Sequence, residues 1–571
     1  MNRGEQMMSA DGRTKEFTAS ANYLVLPIQN GGPNGKMALY VDDTIILDYE
    51  LALATGPETT DWYAFFSIER FKGSPLRVEA SSATDEGFAL VRQSDTIPGE
   101  DAFYTERMRP QFHFTSKTGW LNDPNGLIYD KGTYHMYYQH NPVALPWGNM
   151  TWGHAVSTDL VHWEEQPKVL FPDAKTGTCY SGAMFIDHQN QLQRKTGDKD
   201  VLVAFYLRTE TGLCLAYSND CGQTFTDYED NPVLTHDGER IDTPRPFWYE
   251  PTKRWIAPTY DFFQNDKGER RRCVGFYSSE NLTDWQFESR VTQDGWGDEL
   301  CGCVDFFQLP VDGTPDAPSS SKDSAAASMK WVMIMIDGSY IVGRFDGHTF
   351  YTLEGQPAVA EDRVRTLVSP LCYYATQTWH NMPDDRRVQI TWARSGNHPR
   401  VPFNQQMTLV SELTLHATDA GPQLRMNPIK EFETLRVKTH EWTDIVLKKG
   451  ENPLSDLEGD LFDIEVEFAP SANSQTVFDL RGMNVTYDAA TETLTVCRAS
   501  FPLAPIDGTV RLRILLDRTS VEAYGNDGAV YVPYVDFPAE DNMSISATCD
   551  AGEATVSTLR IHELKSSWQR D

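Results

Sequence analysis

The sequence predicts an all-β protein: a five-bladed β-propeller flanked by an N-terminal β-sandwich and a C-terminal β-sandwich. Three observations carry this. A serine-centred segment recurs at Ser157, Ser218 and Ser278, 61 and then 60 residues apart. Short alternating apolar runs precede that array, and longer ones follow it. A fixed period with an apolar strand before each copy and an aromatic strand after it marks one four-stranded blade per unit.

Each element follows in chain order. Residues 1–17 are polar and read as a flexible N-terminus. Residues 18–105 hold runs such as Tyr23-Leu24-Val25-Leu26-Pro27-Ile28, Met37-Ala38-Leu39-Tyr40-Val41 and Leu76-Arg77-Val78-Glu79-Ala80, separated by turns rich in Gly and Asn. That spacing predicts a small β-sandwich, which either binds carbohydrate or packs on its neighbour. Residues 106–430 hold the repeats and divide into roughly five units of about 60. The copies are Ala155 to Leu160 leading to Trp163, Ala216 to Asp220 leading to Phe225, and Phe276 to Leu282 leading to Trp285. A later relative, Gly343 to Gly347, leads to Phe350. Pro315 to Ser328, rich in Ser, Ala and Pro, reads as a disordered loop inside the array. Residues 435–571 contain Phe462 to Phe468 and Val510 to Leu516, which alternate cleanly and predict the second sandwich.

Composition excludes several classes of function. Fifty basic against 82 acidic residues give a net charge of −32, the wrong sign for nucleic acid or an anionic membrane. A neutral sugar is compatible with that charge, as is simple solubility. The nine cysteines are scattered and odd in number, so no disulfide framework is expected. Cys301 and Cys303 lack the spacing and the second half of a metal site, and no phosphate loop or nucleotide fingerprint occurs, so no metal or cofactor is expected. The N-terminus lacks the apolar segment of a secretory signal, and no run of 18 apolar residues exists. A cytoplasmic location is the expectation.

The most specific motif is Trp120-Leu121-Asn122-Asp123-Pro124-Asn125-Gly126. Pro124 pre-sets φ, and Gly126 with its flanking Asn residues tolerates left-handed backbone. This reads as a tight turn holding the Asp123 carboxylate beside an aromatic ring that can carry a sugar face. Such an arrangement suits covalent catalysis on a glycoside.

The string resembles the signature of glycoside hydrolase family 32, the β-fructosidases: invertases, levanases and inulinases. Tyr138 to Pro142 resembles the family's second motif, and Trp147 to His154 its aromatic segment. Ser181-Gly182 resembles a sugar-contacting turn, and Leu516 to Tyr524 a strand of its second domain. The resemblance implies a five-bladed propeller followed by a sandwich, and a retaining mechanism on sucrose, fructo-oligosaccharides or fructan. It places Asp123 as nucleophile, with Trp120, Asn122, Gln139, Trp147 and Ser181 near the sugar.

Two family positions are altered here. The family's Arg-Asp-Pro run aligns with Asp242-Thr243-Pro244, so the carboxylate falls one residue early, on the opposite face of a regular strand. A local irregularity near Pro244 and Pro246 would restore its aim. The family's Glu-Cys-Pro-Asp run aligns with Gly302-Cys303-Val304-Asp305, so the acid/base Glu falls on Gly302. Losing general acid catalysis commonly lowers a rate by about 10²–10⁴. Asp242 and Glu299 are the candidates for transition-state support and proton transfer, with Asp298 beside Glu299. The family's Pro-Arg-Glu run is Val410-Ser411-Glu412 here, and Glu412 is expected to be structural.

Other readings remain open at this level. Gly302 favours a fructan-binding pseudoenzyme, and an altered proton donor favours a fructosyltransferase. An inverting propeller glycosidase of the arabinanase kind also has an early Asp, but lacks the full string and the C-terminal sandwich. A scaffold propeller is the plainest alternative. Oligomeric state is not legible.

Overall fold

A computed structural model of the chain describes residues 12–235, 241–292, 302–311, 329–359, 362, 367–368, 371–399 and 402–568. Strands dominate, and among the described residues no helix is long and apolar enough to cross a membrane. The segment 315–328, read as a disordered loop, lies outside the described residues.

The N-terminal unit is two sheets face to face. One runs in the order Arg13–Thr18, Pro75–Ala80, Gly35–Val41, Thr44–Leu51, and the other Trp62–Ser67, Tyr23–Ile28, Arg92–Ser94. Leu24, Leu26, Leu39, Phe66 and Val78 meet between them. Of the stretch read as a flexible terminus, residues 1–11 lie outside the described residues and the rest is corrected: Arg13–Thr18 is an edge strand, antiparallel to Pro75–Ala80. Its alternation of polar and half-buried side chains suits a strand with one solvated face, and Phe17 packs on the core. This unit packs on the next. Tyr49 Oη lies 2.8 Å from Thr151 Oγ1, and Asn149 exchanges hydrogen bonds with the Glu50 backbone.

Antiparallel up-and-down sheets follow. The first joins Gly119–Asp130, Thr133–Asn141, Thr151–Ser157 and Glu164–Val169, and the second Cys179–Asp187, Val201–Arg208, Gly212–Ser218 and Thr226–Asp227. The next two begin with Phe247–Tyr249 and Asp305–Pro310, and the last joins Tyr374–Thr378, Arg387–Trp392, Ser411–His416 and Gln423–Pro428. The leading strand of the first sheet packs against those of the second and the last. Phe403–Asn404, from the last sheet's long connection, pairs in parallel with Gly119–Trp120 and ties the ends of the array together.

The repeated serines build one turn, between the third and fourth strands of successive sheets. Ser157 Oγ accepts from the amides of Asp159 and Leu160, and Ser218 Oγ from those of Asp220 and Gly222. In the third copy the equivalent is Ser279, not Ser278: its Oγ accepts from Asn281 and Leu282. Two adjacent serines hid that register. Trp163 and Trp285 each donate an indole N–H to the leucine carbonyl of their own turn.

The C-terminal unit packs a seven-stranded sheet on a five-stranded one. Phe462, Ile464, Val466 and Phe468 pair with Leu516, Ile514, Leu512 and Val510, and all eight enter the core between the sheets. The stretch Leu516 to Tyr524 is a hairpin rather than one strand, with Arg518-Thr519 at the turn. Asp517 and Glu522 from this hairpin clasp His113, at 2.8 and 3.1 Å. Asp517 also accepts from the amides of Gln111 and Phe112, and Glu522 from the Leu409 amide. Both carboxylates are buried, so the clasp fixes the C-terminal unit against both ends of the repeat array.

Candidate active site

Asp123 lies near the start of Gly119–Asp130, the leading strand of the first sheet. The tight turn expected for its motif is corrected: the string is strand, broken by register slips between Leu121 and Pro124 and between Asn125 and Ile128. Pro124 has no N–H to give a ladder, so it is tolerated at such a bulge. Gly126 adopts φ +50°, and a Cβ there would meet Tyr137 and Trp152 at 3.1 and 3.0 Å. The slips leave Asp123 outside the regular pairing. Asp123 Oδ2 accepts from Ser181 Oγ at 3.1 Å, whereas buried Oδ1 has no partner among the described residues. An unpaired oxygen on a partly buried carboxylate is expensive. Burial raises the Asp123 pKa, the Asn122 and Ser181 side chains pull against it, and the charge of Asp242 raises it further.

The charge of Asp242 acts on Asp123. The Asp242 backbone forms a two-bond bridge with Tyr260 at 2.9 Å, and its Oδ1 accepts from the Thr243 amide at 2.7 Å. Thr243 takes φ +47°, left-handed for a β-branched residue. This is a local irregularity of the kind that re-aims a side chain by one position. Thr243 Oγ1 accepts from the amide of Cys303, itself at φ +46°. Cys303 is buried, and burial with the charges of Asp123 and Asp242 pushes its thiol well above the usual range. Asp123, Asp242 and Cys303 therefore share one electrostatic environment. Gly302 is buried beside Cys303. Glu299, Asp298 and Cys301 lie outside the described residues.

The aromatic candidates divide. Trp147 is 54 % exposed and meets Tyr180 edge-on at 5.9 Å, which leaves an open indole beside the strand of Ser181. Trp120 is nearly buried, packs edge-on to Trp392 and donates to Asn122 Oδ1 at 2.9 Å. These contacts hold the ring largely inside the protein, two residues from Asn122. Gln139 is buried, with Nε2 2.9 Å from the Asn125 side-chain oxygen when that amide faces it. Glu412 accepts from Arg386 at 3.0 Å, a contact remote from Asp123 in the last sheet.

Beneath these residues lies a buried ion pair that the sequence did not flag. Arg245 and Asp305 are 2 % and 1 % exposed. The guanidinium grips both carboxylate oxygens at 2.9 Å, and its Nη1 donates to Gln377 at 3.1 Å. Gln377 in turn donates to the Gly182 carbonyl, next to Ser181. Burial alone would raise the Asp305 carboxyl, but Arg245 outweighs it and holds it below the usual range. The one available signal was a cation between two prolines, Pro244-Arg245-Pro246. Among the described residues no group of three or more His, Cys, Asp or Glu could hold a metal ion.

The chain matches two family profiles, "Glycosyl hydrolases family 32 N-terminal domain" over residues 113–428 and "Glycosyl hydrolases family 32 C terminal" over residues 431–563. A levanase of Bacillus subtilis is 34% identical over 514 residues, spanning 82% of this chain and 72% of that protein. An extracellular exo-inulinase of Aspergillus ficuum is 26% identical over 535 residues, spanning 81% of this chain and 96% of that protein. Among solved structures, the exo-inulinase of Aspergillus awamori superposes with a TM-score of 0.69 at 24% identity, over 81% of this chain and 100% of that one. That likeness shows a shared fold.

Proposed function

The chain belongs to glycosyl hydrolase family 32, and from that premise we propose that it cleaves β-fructofuranosidic bonds with retention of configuration. The supporting observation is Asp123: one carboxylate oxygen steadied by Ser181, the other buried and unengaged, within the field of a second carboxylate. In this reading Asp123 attacks C2 of the fructosyl unit and forms a covalent ester. Asp242 fixes sugar hydroxyls and steadies the oxocarbenium-like charge. Because the aligned acid position is Gly302, the proton donor comes from the segment just before it, with Glu299 the assigned residue. Asn122, Ser181 and Gln139 with Trp120 behind them shape the fructosyl pocket, and the open indole of Trp147 carries the rest of the substrate. Sucrose, fructo-oligosaccharides and fructans are the substrate class, and water or a second sugar takes the fructosyl group.

A second reading, a fructan-binding protein without turnover, is favoured by Gly302, which has no side chain to donate a proton. We also propose a cytoplasmic location. The eight described cysteines are all free thiols, as a reducing compartment maintains them, whereas the Aspergillus ficuum relative is named extracellular. Compartment fractionation decides that point.

The functional test is product analysis with sucrose, inulin, levan and short fructo-oligosaccharides, beside an Asp123→Ala control. Fructose or a fructosyl-transfer product that vanishes in the control supports catalysis, and Glu299→Gln then tests the donor. Binding without any product supports the second reading.

A further inference from the structure

A cavity of about 400 Å³ opens toward the other end of the leading strand from Asp123. Ile128, which lines it, lies five residues beyond Asp123 on that bulged strand, at most about 16 Å along it. Its walls are aromatic, with Phe247, Trp248 and Trp331 among them, and Arg387 and His380 also line it. Exposed Gln308 and Asn381 add amides. The volume falls in the range of small-molecule sites.

The charge balance is uneven. Arg387 stands in the field of Asp305, but both oxygens of that carboxylate are held by Arg245, and one also takes the Thr378 amide. One carboxylate thus faces two guanidinium groups. His380 adds no charge: burial and the two guanidiniums push it down to about 3, so it is neutral, and its Nδ1 donates to the Met184 carbonyl. The other acid acting on Arg387 is Asp385, which is exposed. Arg387 Nη1 makes two long contacts of 3.4 Å, to Thr378 Oγ1 and the Trp379 carbonyl, and its buried Nε has no partner among the described residues. Its guanidinium lies 4.8 Å from the Phe307 ring centre. The contrast with its neighbour is direct. Arg386 is gripped by Glu412 and Glu431, Arg208 by Asp227 and Arg109 by Glu106. Burial lowers Arg387 to about 10, which still leaves it charged at neutral pH. A half-buried cation whose nearest buried carboxylate is already held by another guanidinium calls for a further anion.

We propose that this cavity binds a small anionic sugar, a hydroxylated ring bearing one carboxylate or phosphate, with the oxyanion on Arg387 and the ring against Trp248. Guanidinium presents a planar fork that matches either oxyanion. Trp248 is half-buried and meets Trp255 edge-on at 5.7 Å, so part of its indole is open to a ring. Gln308 and Asn381 offer donors and acceptors to hydroxyls. The site is separate from the fructosyl pocket and does not depend on that pocket's activity.

The test is calorimetric titration of the full-length protein with glucose 6-phosphate, glucuronate and glucose. Saturable binding of at least one anionic sugar, with none for glucose, is expected. Which of the two binds identifies the oxyanion. Arg387→Gln should weaken that binding at least about tenfold, the usual loss for a charge-assisted contact. Trp248→Ala, at a partly exposed position, should weaken it several-fold, and Asp123→Ala should leave it intact. Melting temperatures of the variants establish that they fold. Neither anion binding, glucose binding as tightly, or an unchanged affinity in a folded Arg387→Gln protein would overturn the assignment.

Discussion

Replacing Asp305 by Asn should damage the protein more than any surface carboxylate loss. Arg245 and Asp305 are both essentially inaccessible, and the carboxylate makes three contacts of 2.9–3.2 Å to the guanidinium plus one of 2.7 Å to the Thr378 amide. Asparagine keeps an acceptor for the amide but leaves the Arg245 charge uncompensated. Breaking one side of such a pair typically costs about 3–5 kcal/mol. At about 2 °C per kcal/mol for a large domain, the melting temperature should fall by at least roughly 6 °C. Differential scanning calorimetry reads this directly. The double variant Arg245→Met with Asp305→Asn, which removes both charges and keeps an acceptor for the Thr378 amide, should recover much of the loss. A single variant that melts within 2 °C of the parent, or a double variant no better than the single, would refute the view that this pair braces the strands behind Asp123.

Three further outcomes follow from the same geometry. Ser181→Ala removes a hydrogen bond that favours charged Asp123, so the acid limb of the kcat/KM profile should move to higher pH, and an unmoved limb would count against Asp123 as the titrating nucleophile. Trp147→Ala removes an open indole and should raise KM for fructo-oligosaccharides several-fold with a smaller change in kcat, while an unaltered KM would remove Trp147 from the substrate path. At His113, burial opposes the charged ring, but Asp517 and Glu522 outweigh it and hold it up at about 9. Its folded value lies above the unfolded 6.5, so the clasp's stabilisation is complete below pH 6.5 and fades as pH rises through 9. Urea midpoints should decline across that window, and His113→Gln should flatten the decline; parallel curves would deny the clasp that role.

Much of the architecture was legible because it rests on local, repeated chemistry. A serine accepting two amides and an aromatic six or seven residues later build the same turn three times, and the alternation in Phe462 to Phe468 follows directly from one buried face. Errors arose where local signals were degenerate. Ser278 and Ser279 are adjacent, so sequence could not tell which one closed the turn. The polar stretch from Arg13 looked unstructured because an edge strand needs only one apolar anchor, Phe17. The Asp123 string carries turn-forming residues, yet strands on either side hold it as a bulged strand. The Arg245, Asp305 and Gln377 contacts join residues 60 and 132 positions apart, and no local pattern announces such pairing. Asp242 was recognisable as a displaced carboxylate, but the left-handed Thr243 beside it was not.

The central claim is that Asp123 forms a covalent fructosyl intermediate with retention. The most direct measurement incubates the protein with sucrose in aqueous methanol and identifies the methyl fructofuranoside by NMR, since a methyl glycoside preserves the anomeric configuration. The account predicts methyl β-fructofuranoside from the parent protein and none from Asp123→Ala. An α-configured product, or a β product undiminished in Asp123→Ala, would contradict it.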